Sequence, residues 1–233
     1  MHTNRYTFIY AAVLSALTAV ILAFTAEALK PYQDANIALD TKTNILRSVR
    51  ETATDRATIE KIYAASIAEI VLDGEGNILE NVKANSINLK DEVVKTPAKR
   101  KLPLYVFSHS DGKKYYVMPM RGVGLWGPIW GYISLADDFN TVYGATFDHK
   151  SETPGLGAEI SEGPFQIQFQ GKKIMSGDNF ISVSVLKPNI KTEYGSEHRV
   201  DGISGGTITS SGTDKMLKNC IGPYLVYFKK LEK

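Results

Sequence analysis

The hydrophobic pattern opens with an unbroken run, since no side chain from position 7 to position 26 is charged. Coiled as a helix, a run of that length reaches across the roughly 30 Å hydrocarbon core of a bilayer. A secretory signal shares this look, and Ala26-Glu27-Ala28 resembles a small-x-small cleavage site. However, the run is longer than the apolar centre of a signal peptide, and Glu27 occupies the gap position, so residues 1–29 are read as an uncleaved anchor. Basic residues lie on both sides, Arg5 before the run and Lys30, Lys42, Arg47 and Arg50 after it, so charge asymmetry sets no orientation. Beyond the anchor the pattern thins to a polar helix over residues 30–50, with Ile37, Ile45, Leu46 and Val49 as its apolar positions. A second helix is predicted over 55–71 from Ile59, Ile62, Tyr63, Ile67 and Ile70, closed by Asp73-Gly74. Residues 83–101 are charged and read as a surface excursion, with Lys90, Lys95, Lys99, Arg100 and Lys101 as a solvated face.

Strand patterns follow. Residues 102–108 and 114–120 are rich in β-formers and flank Ser110-Asp111-Gly112, a hairpin signal; 130–135, 142–149 and 181–186 read the same way. A short helix is expected at 165–169. A longer one is expected over 213–230, with Met216, Leu217, Cys220, Tyr224, Leu225, Val226 and Phe228 facing inward and Gly222-Pro223 interrupting it. Residues 30–233 therefore predict one α+β domain, an antiparallel sheet with flanking helices, preceded by one N-terminal transmembrane helix.

Composition narrows the chemistry. The 233 residues carry a formal net charge of +2, which gives no case for a nucleic-acid partner, and no nucleic acid is expected. The single cysteine, Cys220, excludes a disulfide within the chain and reads as a packed apolar residue. His2, His109, His149 and His198 show no ligand spacing, so no metal is expected.

Three loops carry candidate chemistry. Residues 201–210, Asp-Gly-Ile-Ser-Gly-Gly-Thr-Ile-Thr-Ser, hold four hydroxyls and three glycines just ahead of a helical pattern. Such a stretch suits a ligand's close approach and a phosphate at a helix start. By itself it is more simply a polar loop ending in a helix N-cap at Ser210 or Ser211. Its hydroxyls lack the nucleophile elbow and activating histidine of a hydrolase. Gly122-Val123-Gly124-Leu125-Trp126-Gly127-Pro128 places an aromatic ring among glycines, where Trp126 either stacks on a planar ligand or seals an edge of the core. Glu152-Thr153-Pro154-Gly155-Leu156-Gly157 forms a tight turn, and by itself it needs no ligand.

Taken in order, the three loops resemble the FMN-binding domain found in the C subunit of sodium-translocating NADH:quinone reductases and in the G subunit of Rnf complexes. There the pattern Asp-Gly-x-Ser-Gly-Ala-Thr carries FMN on its threonine through a phosphoester. That position is Thr207 here, with Gly206 where alanine is usual. The Gly-Leu-Trp stretch ending at Trp126 and the Glu152 to Gly157 hexapeptide match the same family. The resemblance implies covalent FMN on Thr207, with Thr209 as the neighbouring alternative. It adds Ser204, Gly205, Gly206, Thr209, Trp126, Glu152, Thr153, Leu156 and Gly157 as cofactor-binding positions, and Asp201 as a recognition residue for the FAD:protein FMN transferase that attaches the flavin. No residue of the chain is implied to be catalytic. The implied role is an electron-carrying subunit of a membrane-bound quinone reductase in the bacterial inner membrane. Its anchor would lie in lipid around residues 7–26, its domain on the periplasmic side, and its partners would be the other subunits. An Rnf G subunit and a membrane-anchored assembly module without a cofactor are the alternatives.

Overall fold

The computed structural model describes residues 3–190 and 193–232, so His2 lies outside the described residues. The chain divides into two compact units, Met1–Thr41 and Lys42–Lys233.

The first unit is the greater part of α1 (Asn4–Ser48), a helix long and apolar enough to cross a membrane. Phe8, Val13, Leu17, Val20, Ile21 and Phe24 all stand exposed on it. Thr18 and Thr25 donate their hydroxyls to the carbonyls of Leu14 and Ile21, each at 2.8 Å, which hides two polar groups along an apolar surface. Anchor and polar helix are one continuous helix. Pro31 lies inside it and deprives the preceding turn of one backbone donor.

In the second unit, the last turn of α1 buries Ile45 and Leu46. The helix α2 (Arg56–Ser66) is capped by Asp55, whose carboxylate accepts from the Thr58 amide at 2.9 Å. It ends earlier than its apolar spacing predicts, because Ile67 and Ile70 belong to strand β1 (Ile67–Leu72). That strand pairs with β2 (Leu102–Ser108) from Ile67 opposite Phe107 to Leu72 opposite Leu102. Isoleucines three apart share a helix face and fall on opposite faces of a strand, so their spacing points to helix, but β-branched side chains suit a strand and cross-strand pairing wins. Between β1 and β2 lie α3 (Leu89–Glu92) and its flanking turns, where Lys90, Lys95, Lys99 and Lys101 are exposed as their charge predicts but Glu92 and Arg100 are not. Arg100 is buried and donates to the carbonyls of Val93, Lys95 and Asn219 and to the Asn219 side chain.

The main sheet is an antiparallel meander in chain order, completed by β3 (Lys114–Val123), β4 (Pro128–Leu135) and β5 (Val142–His149). The expected hairpin joins β2 to β3, with Gly112 at φ +85°. The expected short helix appears as α4 (Gly163–Gln166) and a following 3-10 turn. A two-residue hairpin follows, β6 (Met175–Ser176) and β7 (Asn179–Phe180). The strand expected over 181–186 shrinks to β8 (Ser184–Leu186), because the amides of Ile181 and Ser182 both turn to the Ile174 carbonyl. It pairs in parallel with β9 (Arg199–Asp201), outside the main sheet. The chain closes with α5 (Thr207–Ile221) and α6 (Leu225–Leu231), separated by the predicted break at Gly222-Pro223.

The core lies between one face of the sheet and the C-terminal half of the chain: Met118, Met120, Ile133 and Phe147 meet Phe169, Leu217, Ile221 and Phe228. Cys220 is buried there, as its spacing predicts. Close approach sets where α5 sits on β3, since a Cβ added at Gly122 would come within 2.8 Å of the Met216 Cβ.

Candidate functional site

The polar stretch after β9 is pinned at both ends. The Asp201 amide donates to Gln168 Oε1 at 2.8 Å, Gln168 Nε2 returns to the Asp201 carbonyl at 3.3 Å, and Arg199 pairs with the Asp201 carboxylate. The Gly202 amide bonds to the Leu186 carbonyl at 2.7 Å. The chain then turns through Ser204 and Gly205, with Gly205 at φ +73° and the Gly206 amide donating to the Ile203 carbonyl at 3.0 Å.

The helix begins at Thr207, six positions before its apolar spacing starts at 213, and Gly206 is its N-cap. Ser210 is not the cap: its hydroxyl lies one turn inside the helix and accepts from the Ile203 amide at 2.9 Å. No side chain caps α5 and no acid stands in its first turn. The first amides of a helix have no acceptor within it and lie at the positive end of its dipole, so this terminus suits an anion. Thr207 is exposed at the first helical position, beside an open cavity of about 360 Å³ that Lys187, Ile190 and Ser211 also line. Thr209, two residues on, is 1% exposed.

Glu152 joins the three loops. It is 4% exposed, and its carboxylate accepts from the Trp126 amide at 2.8 Å, the Leu125 amide at 3.3 Å and the Thr209 hydroxyl. Burial pushes its pKa up, but the Thr209 hydroxyl and the amides of residues 125–127 outweigh burial and hold it below the usual glutamate value. Its own amide donates to His149 Nδ1 at 3.1 Å. Little space is left around it: a Cβ at Gly124 would come within 2.7 Å of Oε1, and one at Gly157 within 2.6 Å of Oε2.

Above this carboxylate the loops carry exposed apolar side chains, Leu125 at 49%, Trp126 at 66% and Leu156 at 42%. Trp126 is therefore no core seal. Leu156 lies over Gly205, where a Cβ would come within 2.5 Å of the Leu156 Cδ2. Thr153 contributes its carbonyl, which accepts from the amides of Leu156 and Ala158 at 3.1 Å each and shapes the turn.

The structure thus brings the three loops to one place. Two predicted contact residues change their part there: Glu152 and Thr209 are spent on each other below the surface, while Thr207, Ser204, Trp126 and Leu156 stand open. Lys187, Ile190, Gln168, Arg199 and His149 join the site only through folding. They stand outside the motifs, so the sequence carries no signal for them.

The pattern of the FMN-binding domain family matches residues 124–222, from the tryptophan loop to the end of α5. The C subunit of the Na(+)-translocating NADH-quinone reductase of Haemophilus ducreyi is 32% identical, over 93% of this chain and 91% of that protein. This chain belongs to the C-subunit family of sodium-translocating NADH-quinone reductases. The corresponding protein of Neisseria meningitidis serogroup B is 31% identical over 97% of this chain and 93% of its own. Among solved structures, the C subunit from Parabacteroides distasonis matches with a TM-score of 0.78 at 38% identity, covering 86% of this chain and 96% of that one. The Shewanella oneidensis NqrC structure matches with a TM-score of 0.70 at 21% identity, covers 83% of this chain and 96% of that one, and supports the fold. The α+β reading, with its antiparallel sheet, is the fold of this family.

Proposed function

We propose that this chain is a membrane-anchored electron carrier of a sodium-translocating NADH:quinone reductase, with FMN attached to Thr207 through its phosphate. The observation that carries the reading is an exposed threonine hydroxyl at the first position of an uncapped helix, two residues after Gly205, over which the exposed Leu156 lies, in a cluster of loops that also leaves Trp126 exposed. These residues fit a flavin nucleotide: an anion seat at the helix amides, an apolar shelf for a planar ring, and backbone without side chains at Gly205 and Gly206. Bound there, the flavin supplies reversible uptake and release of electrons.

The chain's own residues have simpler tasks. The first amides of α5 offset the charge of the phosphodiester. Trp126 and Leu156 offer faces on which the ring lies in offset contact. Glu152 and Thr209 hold the loops from beneath. Attachment belongs to a separate FAD:protein FMN transferase that recognises Asp201 and its neighbours. Thr207 Oγ attacks the FMN phosphorus of FAD, the bond to the AMP phosphate breaks, AMP leaves, and the threonine proton passes to a base of the transferase. The apolar part of α1 lies in lipid, among the complex's other subunits, with the domain on the periplasmic side. A covalent link keeps there a cofactor made in the cytoplasm.

The test is the intact mass of the detergent-purified protein made with and without the transferase. With it, the wild-type chain should gain the mass of FMN less water, and the tryptic peptide holding Thr207 should carry it. Thr207→Ala should fold, with an unchanged circular dichroism spectrum and melting temperature, and stay colourless. The same mass gain in Thr207→Ala would overturn the site. No gain in the wild-type chain would remove the electron carrier and favour the assembly module.

A further inference from the structure

The Glu152 carboxylate lies where all three loops of the site meet, bonded to two of them from the third, and its bonds there come from groups without charge. Among the described residues, none of the ion pairs includes it. Its partners are the neutral amides of Leu125 and Trp126 and the neutral hydroxyl of Thr209. Its own amide donates to His149 Nδ1. Neutral donors stabilise an anion without cancelling its charge. Burial then lets its field reach further than that of a surface carboxylate, because less water screens it.

We propose that Glu152 sets the reduction potential of the flavin: a fixed negative charge beneath the Trp126 and Leu156 shelf opposes the addition of an electron above it. The inference rests on the proposed seat of FMN and gives Glu152 a positioning and electrostatic role rather than direct contact. The position is particular, since the carboxylate is bonded to the backbone that presents Leu125 and Trp126. It also reaches Thr209, two residues from the attachment hydroxyl. An electron added to the ring raises the negative charge of the site by one, and the Glu152 charge makes that step harder. The carrier is poised to give its electron up. Coupling of this kind is reciprocal, so reduction of the flavin must raise the proton affinity of Glu152 by the same factor.

The test uses the flavin-loaded protein. Loading is checked first by intact mass: wild-type protein that does not load counts against the proposed function and leaves Glu152 out of account. In loaded protein, Glu152→Gln keeps the shape and removes the charge, and a spectroelectrochemical titration should show the flavin midpoint potential moved upward. At the wild-type midpoint the reduced-to-oxidised ratio should rise roughly tenfold, the size expected of one charge about 10 Å away at an intermediate dielectric. Glu152→Asp keeps the charge on a shorter arm and should stay near the wild-type potential. An unchanged or lowered potential in Glu152→Gln would overturn the inference, and so would an equal upward shift in both variants, which would mean loosened loops rather than lost charge. Should Glu152→Gln fail to fold or load, the wild-type protein still decides: the carboxylate titration of Glu152, followed by carbon NMR, must move to higher pH when the flavin is reduced. No movement would overturn the inference.

Discussion

A carboxylate kept charged away from water depends on every donor that faces it, and Thr209 is the one donor to Glu152 that a side-chain change can remove. Thr209→Val keeps the volume and deletes the hydroxyl. Losing a hydrogen bond to a charged, buried acceptor costs roughly 1.5–3 kcal/mol, and urea denaturation at neutral pH should show a loss of that order. The pH dependence has a definite sign. Glu152 has its folded-state pKa lowered, so its stabilisation is present above the ordinary glutamate value and is lost as pH falls through the lower, folded value. With Thr209→Val the folded pKa rises towards the unfolded one, so the acid loss should still begin near the ordinary glutamate value but be complete at higher pH and be smaller, as melting temperatures across an acid series would record. This residue pair also marks the limit of what sequence shows. Thr207 and Thr209 are the same residue two positions apart in one motif, and only burial tells the exposed hydroxyl from the committed one. The motif selects Thr207 by resemblance; the fold shows only that its hydroxyl is exposed and that of Thr209 is buried.

At the scale of an element, α5 is the informative case, because it starts six residues before its apolar spacing does. Residues 207–212, Thr-Ile-Thr-Ser-Ser-Gly, are weak helix formers, so propensity and apolar spacing both point to 213. What holds them helical is tertiary: the Ser210 hydroxyl reaches back to the Ile203 amide, Thr213 donates to the Thr209 carbonyl at 3.0 Å, and Gly212 packs against the strand. Gly212 gives the test. In an isolated helix Gly→Ala gains about 1 kcal/mol. Here a Cβ would come within 2.2 Å of the Val123 carbonyl oxygen, which cannot yield as a flexible side chain can. Overpacking of that kind costs about 1–3 kcal/mol, so Gly212→Ala should lower the melting temperature where propensity alone predicts a rise. It should also reduce flavin loading, since α5 would shift from the tryptophan loop. At the other end, Arg100 reads as solvated from its charge, yet it donates to the main chain and side chain of Asn219 near the end of α5. Charge alone reads as surface, and a guanidinium fully supplied with acceptors is the usual exception. By contrast, the strands from β2 to β5 are legible because each is a run of β-formers bounded by turn residues.

For the molecule as a whole, the question is how much chain the domain needs. Among the described residues the buried apolar side chains begin at Ile45, and those before Lys42 contribute none of them. The sequence places a boundary after residue 29, shortly past the end of the uncharged run, whereas the division into compact units falls between Thr41 and Lys42. The helix crosses both positions without a break, so no local signal marks the second one. A chain trimmed to Lys42–Lys233 should therefore fold, remain soluble without detergent and elute as a compact species in gel filtration. It should also gain the FMN mass when incubated with the transferase and FAD. Trimming nine residues further, to position 51, removes Ile45, Leu46 and Val49, each almost fully buried. Burying an aliphatic side chain of this size is worth about 1.5–3 kcal/mol, so three together approach the whole stability of an ordinary domain. That shorter chain should give a non-cooperative melt and little flavin. Equal stability of the two trimmed proteins would mean that the end of α1 is no part of the domain, and the packing of Ser134, whose hydroxyl donates to the Ser48 carbonyl at 2.6 Å, would have to be reassessed.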